Sequence, residues 1–207
     1  MRKRGPGQRG YSFIELLTAM SISVLILGVA VAALTQALQM RARGASTTDA
    51  ITSTQAALNV MSREIGNSGF GLTSNGIVVG DSDDRRLHIR ANVFNNDGAT
   101  TSPGEDVTFF FDTDSKSVVK YDPNANGTGN GLTYGVVNRV SDVTFGYYDY
   151  VGSVRTGPNP NPSADTGRIE ITLTVFLPDV QGQPSGRTVT VKSDVTLRNS
   201  PYMRGQY

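Results

Sequence analysis

Hydrophobic and polar residues follow three different patterns along the 207-residue chain. Residues 16–40 contain no charge over 25 positions, where about 20 apolar residues suffice for a helix to cross a membrane. Residues 51–65 place apolar side chains at helical spacing, which is typical of an amphipathic helix. Beyond Gly71 the pattern alternates, as expected for strands with one buried face.

The two helical patterns predict one long helix at residues 11–66, with residues 12–40 in the membrane. Gly66, Gly69 and Gly71 follow the amphipathic part and favour its end. The apolar stripe recurs every seven residues and has near-face residues between; it consists of Ile51, Leu58 and Ile65 with Thr47, Thr54 and Met61.

The alternating part predicts a β-rich globular domain at residues 67–207. RIEITLTVFL at 168–177 and RTVTVKSDVTLR at 187–198 are the clearest strands and predict an antiparallel hairpin. Turn-forming clusters separate shorter candidates, notably N-N-D-G at 95 and P-N-P-N-P at 158. These candidates are residues 76–79, 87–94, 106–112, 117–121, 132–137 and 143–151. The predicted fold class is α+β, with the long helix packed on an antiparallel sheet.

Charge separates the first ten residues from the rest of the chain. Arg2, Lys3, Arg4 and Arg9 precede the apolar run, which leaves 15 basic against 18 acidic residues elsewhere. The positive-inside bias therefore keeps residues 1–10 in the cytoplasm and sends the globular domain across the membrane. Its slightly acidic balance argues against nucleic-acid binding. The chain has no cysteine, which excludes disulfides, thiolate zinc sites and cysteine nucleophiles.

Glu15 stands at the head of the apolar run, where an unpaired carboxylate costs about 3 kcal/mol or more in lipid. Three interpretations of this segment remain open. A secretory signal peptide would be cleaved near residues 30–37, and an uncleaved anchor would stay whole. Neither explains Glu15. The third interpretation is a processed and retained helix in which Glu15 has a partner.

The stretch Arg9-Gly10-Tyr11-Ser12-Phe13-Ile14-Glu15 resembles the class III signal of type IV pilins and of the pseudopilins of type II secretion. The resemblance implies cleavage between Gly10 and Tyr11 by a prepilin peptidase, which also methylates the new amino terminus on Tyr11. Residues 1–10 would then be the leader peptide. It also implies that Glu15 pairs with the amino terminus of a neighbouring subunit in the filament core.

Other stretches resemble the minor pilins of the PilW type and the J-type minor pseudopilins in the same order along the chain. They are AALNVMSREIGNSGFG, VSDVTFGYYDYVG and the closing VTLRN. Two features depart from pilins: there is no cysteine for a carboxy-terminal disulfide, and the spanning half lacks the proline common there. Gly28 and Ala32 are small residues four apart, a spacing that permits close helix packing or is ordinary for a spanning helix.

The globular domain offers little chemistry. His88 alternates with Arg90 on a strand and is expected to be a solvated surface residue. Asp122, Asn124 and Asn126 resemble the start of a calcium loop but lack its closing glutamate, since Thr133 occupies that position. The acidic run at 81–84 is expected to be a solvated turn. The tyrosines either form an adhesive patch or pack against neighbours; they are Tyr147, Tyr148 and Tyr150.

These features predict a structural protein without catalytic residues or a cofactor, rather than an enzyme. The first hypothesis is a minor pilin in the inner membrane, with its domain in the periplasm, that later joins a surface pilus. Its partners would be the prepilin peptidase, the inner-membrane assembly platform, and other minor and major pilins. The alternatives are a minor pseudopilin of type II secretion, and a periplasmic binding module or enzyme with a conventional signal or anchor.

Overall fold

The computed structural model describes residues 10–94, 98–127, 130–179 and 184–205. The leader at 1–9 and most of the N-N-D-G turn at 95 lie outside the described residues. The chain divides into two units, the first ending at Ala45 and the second beginning at Ser46. The layout is α+β, a long amino-terminal helix followed by antiparallel sheets.

Helix α1 extends over Phe13–Gly66, and no proline interrupts its 54 residues. In the first unit its side chains are exposed, and its most apolar 18-residue window has a mean hydropathy of 2.4 with no residue buried. This helix is long and apolar enough to cross a membrane.

In the second unit, α1 buries one stripe of its surface. The buried residues are Thr54, Ala57, Leu58, Met61, Ile65 and Gly66. Leu58, Met61 and Ile65 confirm the predicted stripe, whereas Ile51 is only half-buried. The stripe is therefore fully covered only along the last turns of the helix.

Eight strands follow the helix, and a short helix, α2 (Pro201–Arg204), ends the described chain. The strands are β1 (Arg86–Arg90), β2 (Asp106–Asp112), β3 (Ser117–Asp122), β4 (Leu132–Val137), β5 (Val140–Val151), β6 (Val154–Asn159), β7 (Thr166–Phe176) and β8 (Thr188–Thr196). They form two four-stranded antiparallel sheets rather than the single sheet expected, in the orders β1-β2-β3-β4 and β6-β5-β7-β8.

The predicted hairpin of β7 and β8 is confirmed. Its register pairs Arg168 with Thr196 and continues without a bulge to Phe176 and Thr188. The inward residues of β7 are buried as the alternation indicated; they are Ile169, Ile171, Leu173 and Val175. Part of the connecting P-D-V-Q-G-Q-P-S-G segment lies outside the described residues.

Two strand predictions are wrong at their ends or altogether. Residues 76–79 form only an isolated bridge between Ile77 and Ile89, and a 3-10 helix begins at Val79. β1 stops at Arg90, before the predicted residue 94, because the main chain beyond it bonds to loops instead. Phe94 N, for example, donates to the carboxylate of buried Glu105 at 3.0 Å.

β6 was not expected, because its sequence contains Gly157 and Pro158 and reads as a turn. It lies at the edge of its sheet, where a proline removes no hydrogen bond from a second neighbouring strand. All of its residues except Asn159 are exposed. An edge strand with solvent on both faces has no alternating pattern to detect.

The core lies where the buried stripe of α1 meets the inner faces of both sheets. It contains Leu58, Met61 and Ile65 from the helix, Leu87, Val107 and Phe109 from the first sheet, and Phe145, Ile171 and Leu173 from the second. The connecting segment 78–84 joins the two sheets at one side. Val78 N donates to His88 O of β1, whereas Asp84 O accepts from Phe145 N of β5, both at 2.9 Å.

The loop after α1 is held by Asn75, which is almost fully buried. Its Nδ2 donates to the carbonyls of Ser163 and Thr166 at 3.0 Å, and its Oδ1 accepts from Ile77 N at 3.1 Å. The neighbouring Gly76 has a φ of +79°, which a side chain rarely adopts. This loop therefore has little freedom to change its conformation.

We predict that Gly76→Ala destabilises the protein by about 3 kcal/mol or more, because its new Cβ would lie 2.1 Å from Gly69 N and 2.4 Å from Arg90 O. Gly98 is a matched control, since its φ is +73° but a Cβ there meets nothing within 4 Å. Gly98→Ala should cost only about 1–2 kcal/mol for the backbone strain. Thermal unfolding of the full-length chain in detergent micelles measures both, and equal losses would contradict the packing explanation.

Candidate functional site

The predicted processing site lies at the start of the described chain. Gly10 precedes α1, and Tyr11 is 86% exposed. A Cβ at Gly10 would meet no atom within 4 Å, and no positive φ is found there. The fold of this chain therefore gives no reason for a glycine at this position.

Glu15 lies in the first turn of α1 and is exposed. Its carbonyl accepts a hydrogen bond from Thr18 Oγ1 at 3.0 Å, but its carboxylate has no hydrogen-bond or ion-pair partner among the described residues. The amino-terminal end of the helix dipole favours a negative charge by about 0.3–1 kcal/mol. That gain is smaller than the cost of an unpaired carboxylate in lipid.

The other polar groups of the apolar segment are satisfied within the helix. Ser21, Ser23 and Thr35 each donate their hydroxyl to the carbonyl four residues earlier, at 2.8–2.9 Å. Such bonds let serine and threonine reside in lipid. Glu15 is thus the polar side chain of this segment that most needs an external partner.

Gly28 and Ala32 are both exposed in the first unit, and a Cβ at Gly28 would meet nothing within 4 Å. No packing within the described chain therefore requires small residues there. A role in packing against another helix remains a prediction.

The calcium-loop candidates hold the main chain together in the structure. Asp122 is buried; its Oδ2 accepts from Gly104 N at 2.7 Å and its Oδ1 from Asn124 N at 2.8 Å. The Asn124 amide donates to Thr100 O at 3.1 Å. Asn126, the third candidate, is half-buried in the same turn. Among the described residues, no group of three or more His, Asp or Glu side chains is arranged to hold a metal ion.

His88 is not the solvated residue that its strand position suggested. Its ring is only 12% exposed and lies between two carboxylates. Nδ1 is 2.8 Å from Asp81 Oδ2, and Nε2 is 2.5 Å from Asp106 Oδ1. A neutral imidazole donates through one nitrogen only, so both carboxylates are satisfied at once only by a protonated ring.

The same cluster includes two arginines of β1. Arg90 Nε donates to Asp106 Oδ2 at 2.9 Å, and Arg86 contacts Asp81 at 3.2 Å. Burial of Asp106 disfavours its charged form, but the hydrogen bonds from His88 and Arg90 outweigh that cost and lower its pKa below the ordinary value. The cluster ties the segment 78–84 to β1 and β2.

The acidic run at 81–84 is therefore part of the fold rather than a free solvated turn. Asp83 Oδ1 accepts from Arg85 N and Arg86 N at 2.7 and 2.8 Å, and Arg85 pairs with Asp142 of β5. Sequence reasoning missed the cluster around His88 because the partners come from two other elements. Only the register that pairs Arg90 with Asp106 brings them together.

The three tyrosines pack against neighbours instead of forming an adhesive patch. Tyr147 is fully buried and donates its hydroxyl to Asp83 O at 2.7 Å; burial, with the nearby charges of Asp83 and Asp84, raises its pKa. The Tyr148 ring lies 5.2 Å from the guanidinium groups of Arg155 and Arg168. Tyr150 stacks on Tyr202 with ring centroids 4.2 Å apart.

No protein-family model, curated protein or solved structure matches this chain. The resemblance to pilin-like proteins therefore depends on the signal from Gly10 to Glu15 and on the order of the later stretches. The geometry around Gly10 and Glu15 bears on how that signal is interpreted.

We predict that Asp106→Asn lowers the free energy of unfolding by about 2 kcal/mol at pH 7, because charged hydrogen bonds to His88 and Arg90 are lost. A lowered folded pKa contributes stability above the unfolded value, near 3.8, that disappears as pH falls through the folded value. The difference between wild type and variant should therefore shrink below about pH 4. Exposed Asp114→Asn is the control. A pH-independent difference in denaturant unfolding would contradict the ionic explanation.

Proposed function

We propose that the chain is a minor pilin of the PilW type, a structural subunit that takes part in assembling a type IV pilus and acts near the filament tip. In this role the protein makes and breaks no covalent bond itself. The prepilin peptidase processes it, and the other pilin subunits and the assembly platform receive it. The helix supplies assembly contacts, and the two-sheet body caps the filament or presents a surface.

The observation that carries this proposal is a glycine and a glutamate, five residues apart, that the chain's own fold does not explain. Gly10 has open space around it, and the Glu15 carboxylate has no partner among the described residues. Both precede a helix whose apolar part is entirely exposed. A site that is cut by another protein and then paired with another subunit accounts for all three features together.

Glycine at the cleavage position has a direct physical use. A residue without a side chain lets a protease approach the main chain closely. Cleavage after Gly10 creates a charged amino terminus at Tyr11, four residues before Glu15. The helix stays in the mature protein, whereas a signal peptidase would remove most of it.

The Glu15 carboxylate then pairs with the amino terminus of a neighbouring subunit. In the apolar interior of a filament, each charge is costly alone and tolerable when paired. A subunit displaced along the filament would leave a carboxylate and an ammonium group unpaired. The pair therefore selects one register between subunits, and the surrounding apolar side chains supply non-directional attraction.

The four basic residues of the leader favour insertion with residues 1–10 in the cytoplasm and the body in the periplasm. A cytoplasmic leader is accessible to a peptidase acting at that face. Extraction of the processed subunit into a filament would carry the body to the cell surface.

We predict that the mature protein begins with methylated Tyr11, which mass spectrometry of the amino-terminal peptide measures directly. Gly10→Val should leave full-length precursor in the membrane, because a branched side chain blocks approach to the cleaved bond. Gly7→Val, a matched change in the same leader, should be processed normally. A mature terminus near residue 38, or an unmethylated intact chain, would contradict the proposal and favour a conventional signal or anchor.

We predict that Glu15→Val is still processed but enters sheared surface filaments at least about tenfold less than wild type, because the neighbour's amino terminus loses its partner. Thr18→Val is the control, since it removes a nearby hydroxyl and leaves the carboxylate. Immunoblots of sheared pili and of membranes give the ratio. Normal incorporation of Glu15→Val would refute the pairing role, and a secretion defect with intact pili would identify a type II secretion filament instead.

A further inference from the structure

A small cavity of about 150 Å³ lies in the second unit, between the helix residues that begin this unit and the turn that joins β4 to β5. We call it the Arg139 cavity. Its volume corresponds to about five water molecules at roughly 30 Å³ each, far below the several hundred Å³ of a nucleotide or cofactor site. Its polar lining consists of Ser46, Asp49, Ser53, Asn138 and Arg139.

These polar side chains are free of internal partners. Within the described ranges, none of the five makes a side-chain hydrogen bond or ion pair, and Asp49 and Arg139 are not paired with each other. Elsewhere in the body, acids near a cavity are used structurally, as Glu105 is in holding Phe94 N and Ser102 N. An unpaired acid and an unpaired base on one cavity therefore suit a ligand that carries both charges.

Arg139 also has an unusual backbone conformation. Its φ is +58°, a region in which a residue other than glycine, asparagine or aspartate is uncommon and costs about 1–3 kcal/mol. Its carbonyl is held by Phe176 N at 2.7 Å, which fixes the turn. Residues held in this way cluster at binding sites, so the conformation supports a functional use of the arginine.

The chain connection limits how far this cavity can lie from a membrane crossed by α1. Ser46 follows Met40, the last residue of the charge-free run, by six positions. Six residues span at most about 20 Å even when fully extended. The head-group layers make up roughly 10–15 Å of the thickness of a bilayer, so the helix side of the cavity begins within reach of lipid head groups.

We propose that the Arg139 cavity binds the zwitterionic head group of an aminophospholipid, phosphoethanolamine, from the membrane in which α1 is anchored. Arg139 and Asn138 would donate to the phosphate, and Asp49 would accept from the ammonium group. Phe176 and Pro178 supply the apolar part of the lining for the glycerol end. The proposal depends on the membrane anchoring in the proposed function, and not on filament assembly or processing.

The full-length chain in lipid nanodiscs tests this proposal. Nanodiscs of phosphatidylcholine would contain a tenth of either phosphatidylethanolamine or phosphatidylglycerol, and native mass spectrometry would measure the lipid retained on the ejected protein. We expect phosphatidylethanolamine to be retained about tenfold more than either other lipid, because only it offers both a phosphate and N–H donors. Equal retention of the three lipids would overturn the proposal.

Two variants remove one charge each without changing the backbone demand. Arg139→Asn keeps a residue that tolerates positive φ, and Asp49→Asn keeps the helical side chain's size. Each should reduce phosphatidylethanolamine retention about tenfold, whereas Arg198→Asn, at an exposed arginine in another turn, should not. An equal loss in all three variants would show a general charge effect and refute the cavity.

A soluble arm identifies the source of the head group. Glycerophosphoethanolamine added to phosphatidylcholine nanodiscs should leave no bound mass at millimolar concentration, because it lacks the membrane's high local concentration. Binding of the soluble compound at that level would overturn the membrane source. Lipid retention is measured whether or not Tyr11 is the mature terminus, so failure here is distinguishable from failure of the proposed function.

Discussion

One stripe of a single helix organises the body. Leu58, Met61 and Ile65 are buried against both sheets, and each such side chain contributes about 1.5–3 kcal/mol through its removal from water. Both sheets contribute inner-face residues to the core that surrounds this stripe, with Phe109 from the first and Phe145 from the second. The same helix carries an exposed apolar surface in the first unit, so its sequence must satisfy two different solvents.

Polar contacts at the margins of the core fix the two sheets relative to this stripe. Lys120 of β3 pairs with Glu64 of the helix at 2.8 Å, and Ser193 of β8 lies 3.2 Å from the hydroxyl of Ser62. On another side, the segment 78–84 joins β1 to β5 through main-chain bonds and the carboxylates around His88. Because hydrophobic burial is non-directional, such bonds are what select one arrangement of the layers.

Sequence patterns predicted the elements that bury one face and failed where a tertiary contact decides the conformation. β7 and β8 alternate cleanly and pair as expected, and the stripe of α1 follows from its spacing. Residues 76–79 have strand-like composition, but Asn75 and Gly76 bend the chain toward loops that are distant in sequence. His88 was misjudged for the same reason, since its two carboxylates come from other elements that only the register brings close.

The residues of the opening signal differ in kind from these structural ones. The glycine at 76 is explained by its positive φ and by main-chain atoms within 3 Å, and the carboxylate of Asp106 by two cationic donors. Gly10 and Glu15 have neither type of explanation within the described chain, although a carboxylate before a lipid-compatible helix is costly. A residue whose cost the fold does not offset has its reason outside the fold. For Glu15 the simplest such reason is a positive charge on another subunit, and cleavage beside Gly10 would give every copy one such charge four residues away.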